Sequence, residues 1–144
     1  MSEQLPEPVA NADSAPYWAA ARERRLLIRQ CKACGELHFM PRYLCPACWS
    51  EALQWVEAKG TGSVHSFTVV RRASSPAFRG RVPYVVALID LDEGPRMMAN
   101  ILGEDALDVA IGDPVTVTFE DRRAGMLPQF IRTAAREQWE RVTS

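Results

Sequence analysis

The chain has 144 residues, 47% of them hydrophobic and 24% charged, with 17 basic and 18 acidic side chains and a net charge of −1. That length fits one ordinary domain, or a small module joined to a barrel-sized one, and the balance is that of a globular protein. It gives no reason to expect nucleic acid or an anionic membrane as partner, and apolar runs such as "VPYVVALI" (82–89) fall far short of the roughly 18 residues of a membrane helix.

Residues 1–13 are polar, aperiodic and proline-containing, which predicts a flexible tail without the basic and apolar regions of a secretory signal. A cytoplasmic, reducing setting is the resulting expectation. Asp13 and Ser14 are the residues to cap a helix, and Pro16 suits its first turn. "PYWAAARERR" (16–25) then predicts a short helix with Tyr17, Trp18 and Ala21 toward one side and Arg22–Arg25 mostly solvated. "LLIRQC" (26–31) reads as a strand leading into a cysteine cluster that forms a β-hairpin-like module.

All four cysteines lie in that cluster, "CKACGELHFMPRYLCPAC", as two CxxC pairs separated by ten residues. In a reducing compartment such a set points to metal rather than disulfides. Thiolates on two tight turns satisfy tetrahedral Zn²⁺, so Cys31, Cys34, Cys45 and Cys48 are the expected ligands. Gly35 supplies the convenient positive φ after the first pair, whereas Trp49 stands in that place after the second. Four sulfur ligands leave no open coordination position, which makes the site structural and not catalytic. Iron in the same cage would make an electron carrier, but no second cofactor motif accompanies it.

From Glu57 the texture changes to β-rich segments separated by turns. "GTGSVHSFTVV" is followed by "VPYVVALIDLDEG" and "PRMMANILGE", the last two joined across an acidic hairpin turn at Asp92–Pro95. After the Gly112-Asp113-Pro114 turn, Val115, Val117 and Phe119 alternate with threonines, and "MLPQFIRTA" supplies a fifth strand. Five strands at this spacing predict a small closed or partly open β-barrel. The chain is thus mainly β: a flexible tail (1–13), an N-terminal helix and zinc ribbon (14–56), a barrel domain (57–135) and a C-terminal tail or short helix (136–144).

No catalytic motif declares itself. The two histidines, His38 and His65, are too few for a hydrolase triad, and there is no GxSxG, P-loop, GxGxxG or HExxH. Asp90, Asp92 and Glu93 most simply close the hairpin. The loop "VRRASSPAFRGRVPY" (70–84) gathers Arg71, Arg72, Arg79 and Arg81 with Phe78 and Tyr84. Guanidinium forks grip phosphates and aromatic faces stack bases, so this loop suits a nucleotide-like ligand, the bland alternative being a solvated basic loop. Arg122 and Arg123 either add to it or are simply exposed.

The ordered set "PYWAAARE", "LLIRQCKACG", "PRYLCPAC", "GTGSVHSFTVV", "PYVVALIDLDEG" and "IGDPVTVTF" resembles the DUF35 family over nearly the whole chain, from about Ser14 to Thr133. The resemblance implies a rubredoxin-like zinc ribbon followed by an OB-fold, with the four cysteines matching the zinc ligands. It also implies a cytoplasmic accessory subunit, in a hetero-oligomer for which two plus two chains is the expected stoichiometry, for a thiolase-like or lipid-transfer-protein-like aldolase partner. That partner would supply the catalytic residues for carbon–carbon bond cleavage or formation on an acyl-CoA thioester. Phe67, Phe78, Pro83 and Tyr84 fall where ligand or partner contacts are expected, beside the arginines already named, and a CoA thioester is the ligand implied. The alternative is a single-stranded nucleic-acid-binding ribbon and OB module, against which the net charge and the few aromatics argue.

Overall fold

A computed structural model describes residues 5–123 and 125–133. The expected tail or short helix at 136–144 lies outside the described residues. The order of elements is α1 (Ala15–Arg22), β1 (Leu27–Cys31), β2 (Leu37–His38), β3 (Leu53–Glu57), β4 (Thr61–Val70), β5 (Tyr84–Leu91), β6 (Arg96–Leu102), β7 (Pro114–Asp121) and β8 (Met126–Arg132). Two short 3₁₀ turns, Pro76–Phe78 and Ala106–Asp108, sit in the connections.

The helix begins where expected, but its start is made differently. Ser14 is the N-cap and its side chain does not cap the helix. Its hydroxyl instead accepts the Asn11 N–H at 3.1 Å while Asn11 Oδ1 accepts the Ser14 N–H at 2.8 Å, so the chain is pinned one turn earlier and Asp13 stays exposed. Tyr17, Ala20 and Ala21 are buried, and Trp18 is half-buried against the core.

β1 is the centre of a three-stranded sheet ordered β2-β1-β3. The expected strand and hairpin are therefore present, and β3, which the sequence reading left without a strand, adds a third member along all five residues of β1. Its pattern, LQWVE, is too short for alternation to declare itself, and its partner lies over twenty residues away. On this sheet the Arg29 guanidinium lies 4.4 Å from the centre of the Trp55 ring.

The five expected strands close a barrel in the order β4-β5-β6-β8-β7. Strict alternation on β5 and β6 sends Val85, Ala87, Ile89, Leu91, Met97, Ala99 and Ile101 inward, where they meet Val64, Val115 and Phe130. Each such large side chain contributes about 1.5–3 kcal/mol by leaving water. Gly60 makes the passage from ribbon to barrel: its φ is +81° and the Val117 side chain fills the space where a Cβ would stand. The acidic turn ties this passage down. Glu93 Oε2 accepts the Lys59 N–H at 2.8 Å, and Asp92 accepts the Thr61 hydroxyl.

Closure is incomplete at one seam. β6 and β8 run parallel and pair only at Ile101 with Phe130 and Leu102 with Ile131. Pro128, two residues before Phe130, has no N–H for β6, so the ladder stops there. Buried Gln129 takes over with its side chain, accepting the Asn100 N–H at 2.7 Å and donating to Asn100 Oδ1 at 3.0 Å. Beyond that bridge the strands diverge and leave Met98 66% exposed.

Candidate functional site

The two CxxC turns are built alike. After each pair the next residue takes a positive φ, +80° at Gly35 and +67° at Trp49. The N–H of Gly35 returns to the Cys31 carbonyl at 2.8 Å, and that of Trp49 to the Cys45 carbonyl at 2.9 Å. The second turn thus adopts the glycine conformation without a glycine, at a cost of about 1–2 kcal/mol for an L-residue. The Trp49 side chain stands 74% exposed, beside Tyr43 at 64%.

The four Sγ atoms lie within 4.8 Å of one another, with Cys31–Cys48 at 3.5 Å and Cys34–Cys45 at 3.6 Å. Zn–S bonds of about 2.3 Å in a tetrahedron need sulfurs about 3.8 Å apart, so the cage fits zinc. Backbone N–H groups of Cys34 and Ala47 point at the sulfurs of Cys31 and Cys45, at 3.5 and 3.4 Å. The N–H of Cys34 pulls the Cys31 thiol down to about 6, whereas Cys34 and Cys48 are pushed up. Four negative sulfurs cannot coexist this closely unless a cation neutralises them. All four positions are occupied by protein, so the metal is structural.

The arginine–aromatic loop is only partly assembled. Phe78 and Tyr84 meet with ring centres 5.6 Å apart, tilted by 35°. Arg71, Arg72 and Arg79 are exposed, as is Pro83. Arg81 is turned away from this cluster and pairs with Glu120 at 3.0 Å. Phe67 is half-buried and packs on the barrel core. Arg122 is neither exposed nor part of the basic cluster: it is 6% exposed, bonded to Glu120 at 2.8 Å and to the Pro6 carbonyl at 2.9 Å. The N-terminal segment is thereby laid against the β7–β8 turn, with Glu7 3.9 Å from Arg123.

Beside the loop lies a groove that the sequence reading missed. One hollow of about 270 Å³ is lined by Phe78, Tyr84, Val86, Met98, Asn100 and Pro128, among others, and a second of about 240 Å³ by Tyr17, Trp18, Phe39, Met97, Met98 and Leu127, among others. They share Met98, Leu127 and Pro128 and so run as one trough along the open seam, from the loop to α1 and the ribbon. The one signal for it in the sequence was a proline inside an apolar strand.

His65 bulges out of β4, where the pairing with β5 shifts register, and lies 3.4 Å from Asp90 and 3.2 Å from Arg96. Among the described residues no hydroxyl or thiol is bonded to this exposed cluster, which reads as a surface tie between strands. No helix among them is long and apolar enough to cross a membrane.

Comparison with known proteins places these parts. Residues 18–54 match the ChsH2 rubredoxin-like zinc ribbon domain, and residues 55–120 the ChsH2 C-terminal OB-fold domain. A probable enoyl-CoA hydratase alpha subunit of Thermomonospora curvata is 43% identical over 112 residues, 78% of this chain and 34% of that one. The chain therefore spans about a third of that relative's length. A DUF35 domain-containing scaffold protein of Methanocaldococcus jannaschii is 36% identical over 104 residues, 71% of this chain and 73% of that one. The benzoylsuccinyl-CoA thiolase subunit BbsA of Geobacter metallireducens is 35% identical over 75 residues, 52% of this chain and 49% of that one. Among solved structures, a chain of the Ltp2-ChsH2(DUF35) aldolase superposes with a TM-score of 0.79 at 39% identity, covering 88% of this chain and 99% of that one.

Proposed function

This chain belongs to the DUF35 family, and from that premise we propose that it is a non-catalytic, zinc-stabilised subunit of a thiolase-superfamily complex acting on a coenzyme A thioester. One observation carries the reading: similarity along 99% of a DUF35 chain of an aldolase. The name of a thiolase subunit on a second relative points the same way. In this reading the ribbon and barrel form a rigid support, and the partner brings the nucleophile or base for carbon–carbon bond cleavage or formation. Arg71, Arg72 and Arg79 then face the phosphates of coenzyme A, where guanidinium forks act as paired donors. The Phe78–Tyr84 pair offers an apolar face beside them.

Affinity capture of the zinc-loaded chain from its own cell extract, followed by mass spectrometry, tests the proposal. Recovery of a thiolase-type or aldolase subunit in near-stoichiometric amount is the expected result. Its absence from repeated captures, with zinc still bound, would overturn the reading.

A further inference from the structure

The second cysteine turn spends backbone strain on a side chain left in water. Gly35 after the first pair and Trp49 after the second hold the same left-handed conformation, with φ +80° and +67°. Glycine would hold both without strain, yet the second turn carries a tryptophan that is mostly exposed. An outlier of this kind points to a task at that residue. Trp49 lines a hollow of about 420 Å³ with Asp13, Pro41, Arg42, Tyr43 and Pro46, among others, and this hollow shares only Pro41 with the trough along the seam. Among the described residues the Trp49 and Tyr43 rings stack on no other ring or cation. The side chains of Arg42 and Asp13 line the same hollow and make no ion pair, with each other or elsewhere.

Tryptophan, tyrosine and arginine are the residue types that carry most of the energy of protein–protein contacts. The charges say what kind of protein fits. A face with one free cation and one free anion has no net sign to draw an acidic or a basic partner, but it is complementary to itself. About a twofold axis through the hollow, Arg42 of each copy meets Asp13 of the other, and the rings close between them. We propose that this face of the ribbon is a contact between two copies of the chain, made by Trp49, Tyr43 and the reciprocal Arg42–Asp13 pairs. It needs no coenzyme A and goes beyond the role of a subunit beside a thiolase-type partner. Eight residues line the hollow, against about 20–30 a side in a standard interface, so the association is weak and depends on concentration. In an assembly that already holds two copies close together, the same contact becomes intramolecular and strengthens.

Sedimentation velocity of the full-length, zinc-loaded chain, over about a hundredfold range of concentration up to the high micromolar, tests this. A rise from monomer toward dimer mass with concentration is expected. Arg42→Asp and Asp13→Arg, each alone, set like charges across both contacts and should stay monomeric. Mixed in equal amounts, the two variants set opposite charges across both contacts and should pair again; both positions are exposed, so neither change should disturb folding. Trp49→Gly should also stay monomeric, while a chelator strips its zinc no faster than that of the parent chain, because glycine takes the turn unstrained. A parent chain monomeric at every concentration, a charge variant that associates as the parent does, a mixture that stays monomeric, or association that survives Trp49→Gly would overturn the inference and leave the subunit role standing. Loss of the thiolase-type subunit from the affinity capture with Trp49→Gly would overturn it too, since the face would then belong to that partner.

Discussion

Glu120 shows how a few residues tie three parts of the molecule together. Burial pushes its carboxyl up, but the hydrogen bonds from Arg122 and Arg81 outweigh this and hold it below its ordinary value of 4.5. A carboxylate with a depressed folded value stabilises the protein fully above its unfolded value, and that contribution is lost as pH falls through the folded one. Glu120→Gln would strand the buried Arg122 without its counter-charge, at a cost of about 3 kcal/mol at pH 7. Urea unfolding of both proteins from pH 7 down to about pH 3 should show the gap closing in acid; a gap independent of pH would contradict this role. None of it was legible in the sequence. Nothing local distinguishes Arg122, buried by Pro6 from over a hundred residues away, from exposed Arg123. The cysteines were legible for the opposite reason, because their spacing alone constrains the ligand geometry.

At the scale of elements, the ribbon depends on its metal and the barrel does not. Besides Cys31 and Cys45, Ile28 is the one large ribbon side chain among the most deeply buried. It contributes about 1.5–3 kcal/mol, against the order of 10 kcal/mol that structural zinc supplies in zinc-finger peptides. Removing zinc with a chelator should abolish amide protection across Leu27–Glu57 while protection persists in β5 and β6. Undiminished protection of β1 would show that the sheet stands without metal. The barrel strands were readable from their turns, since Gly94 and Gly112 take the positive φ that ends one strand and frees the next. The seam was not readable: Pro128 marks an edge, but only the pairing of β6 with β8 shows which edge and what lines it.

For the whole molecule, charge is distributed in ties rather than in a field. Arg81, Arg96, Arg122 and Arg132 all face carboxylates, while Arg71, Arg72 and Arg79 stand exposed in the loop. A single-stranded nucleic acid would need a continuous basic track with stacking aromatics along it. What the molecule presents instead is an apolar trough along the open seam of its barrel, next to the arginine-bearing loop. That shape makes sense as one wall of a site completed by another chain. Function was legible here only through resemblance, since no catalytic motif stands in the sequence.

The most direct measurement is turnover of the acyl-CoA substrate by the captured partner alone, by this chain alone and by the two together. At least tenfold greater turnover by the pair than by the partner alone, with none from this chain alone, is the expected result. Turnover by this chain in isolation, or a partner indifferent to its presence, would contradict the account.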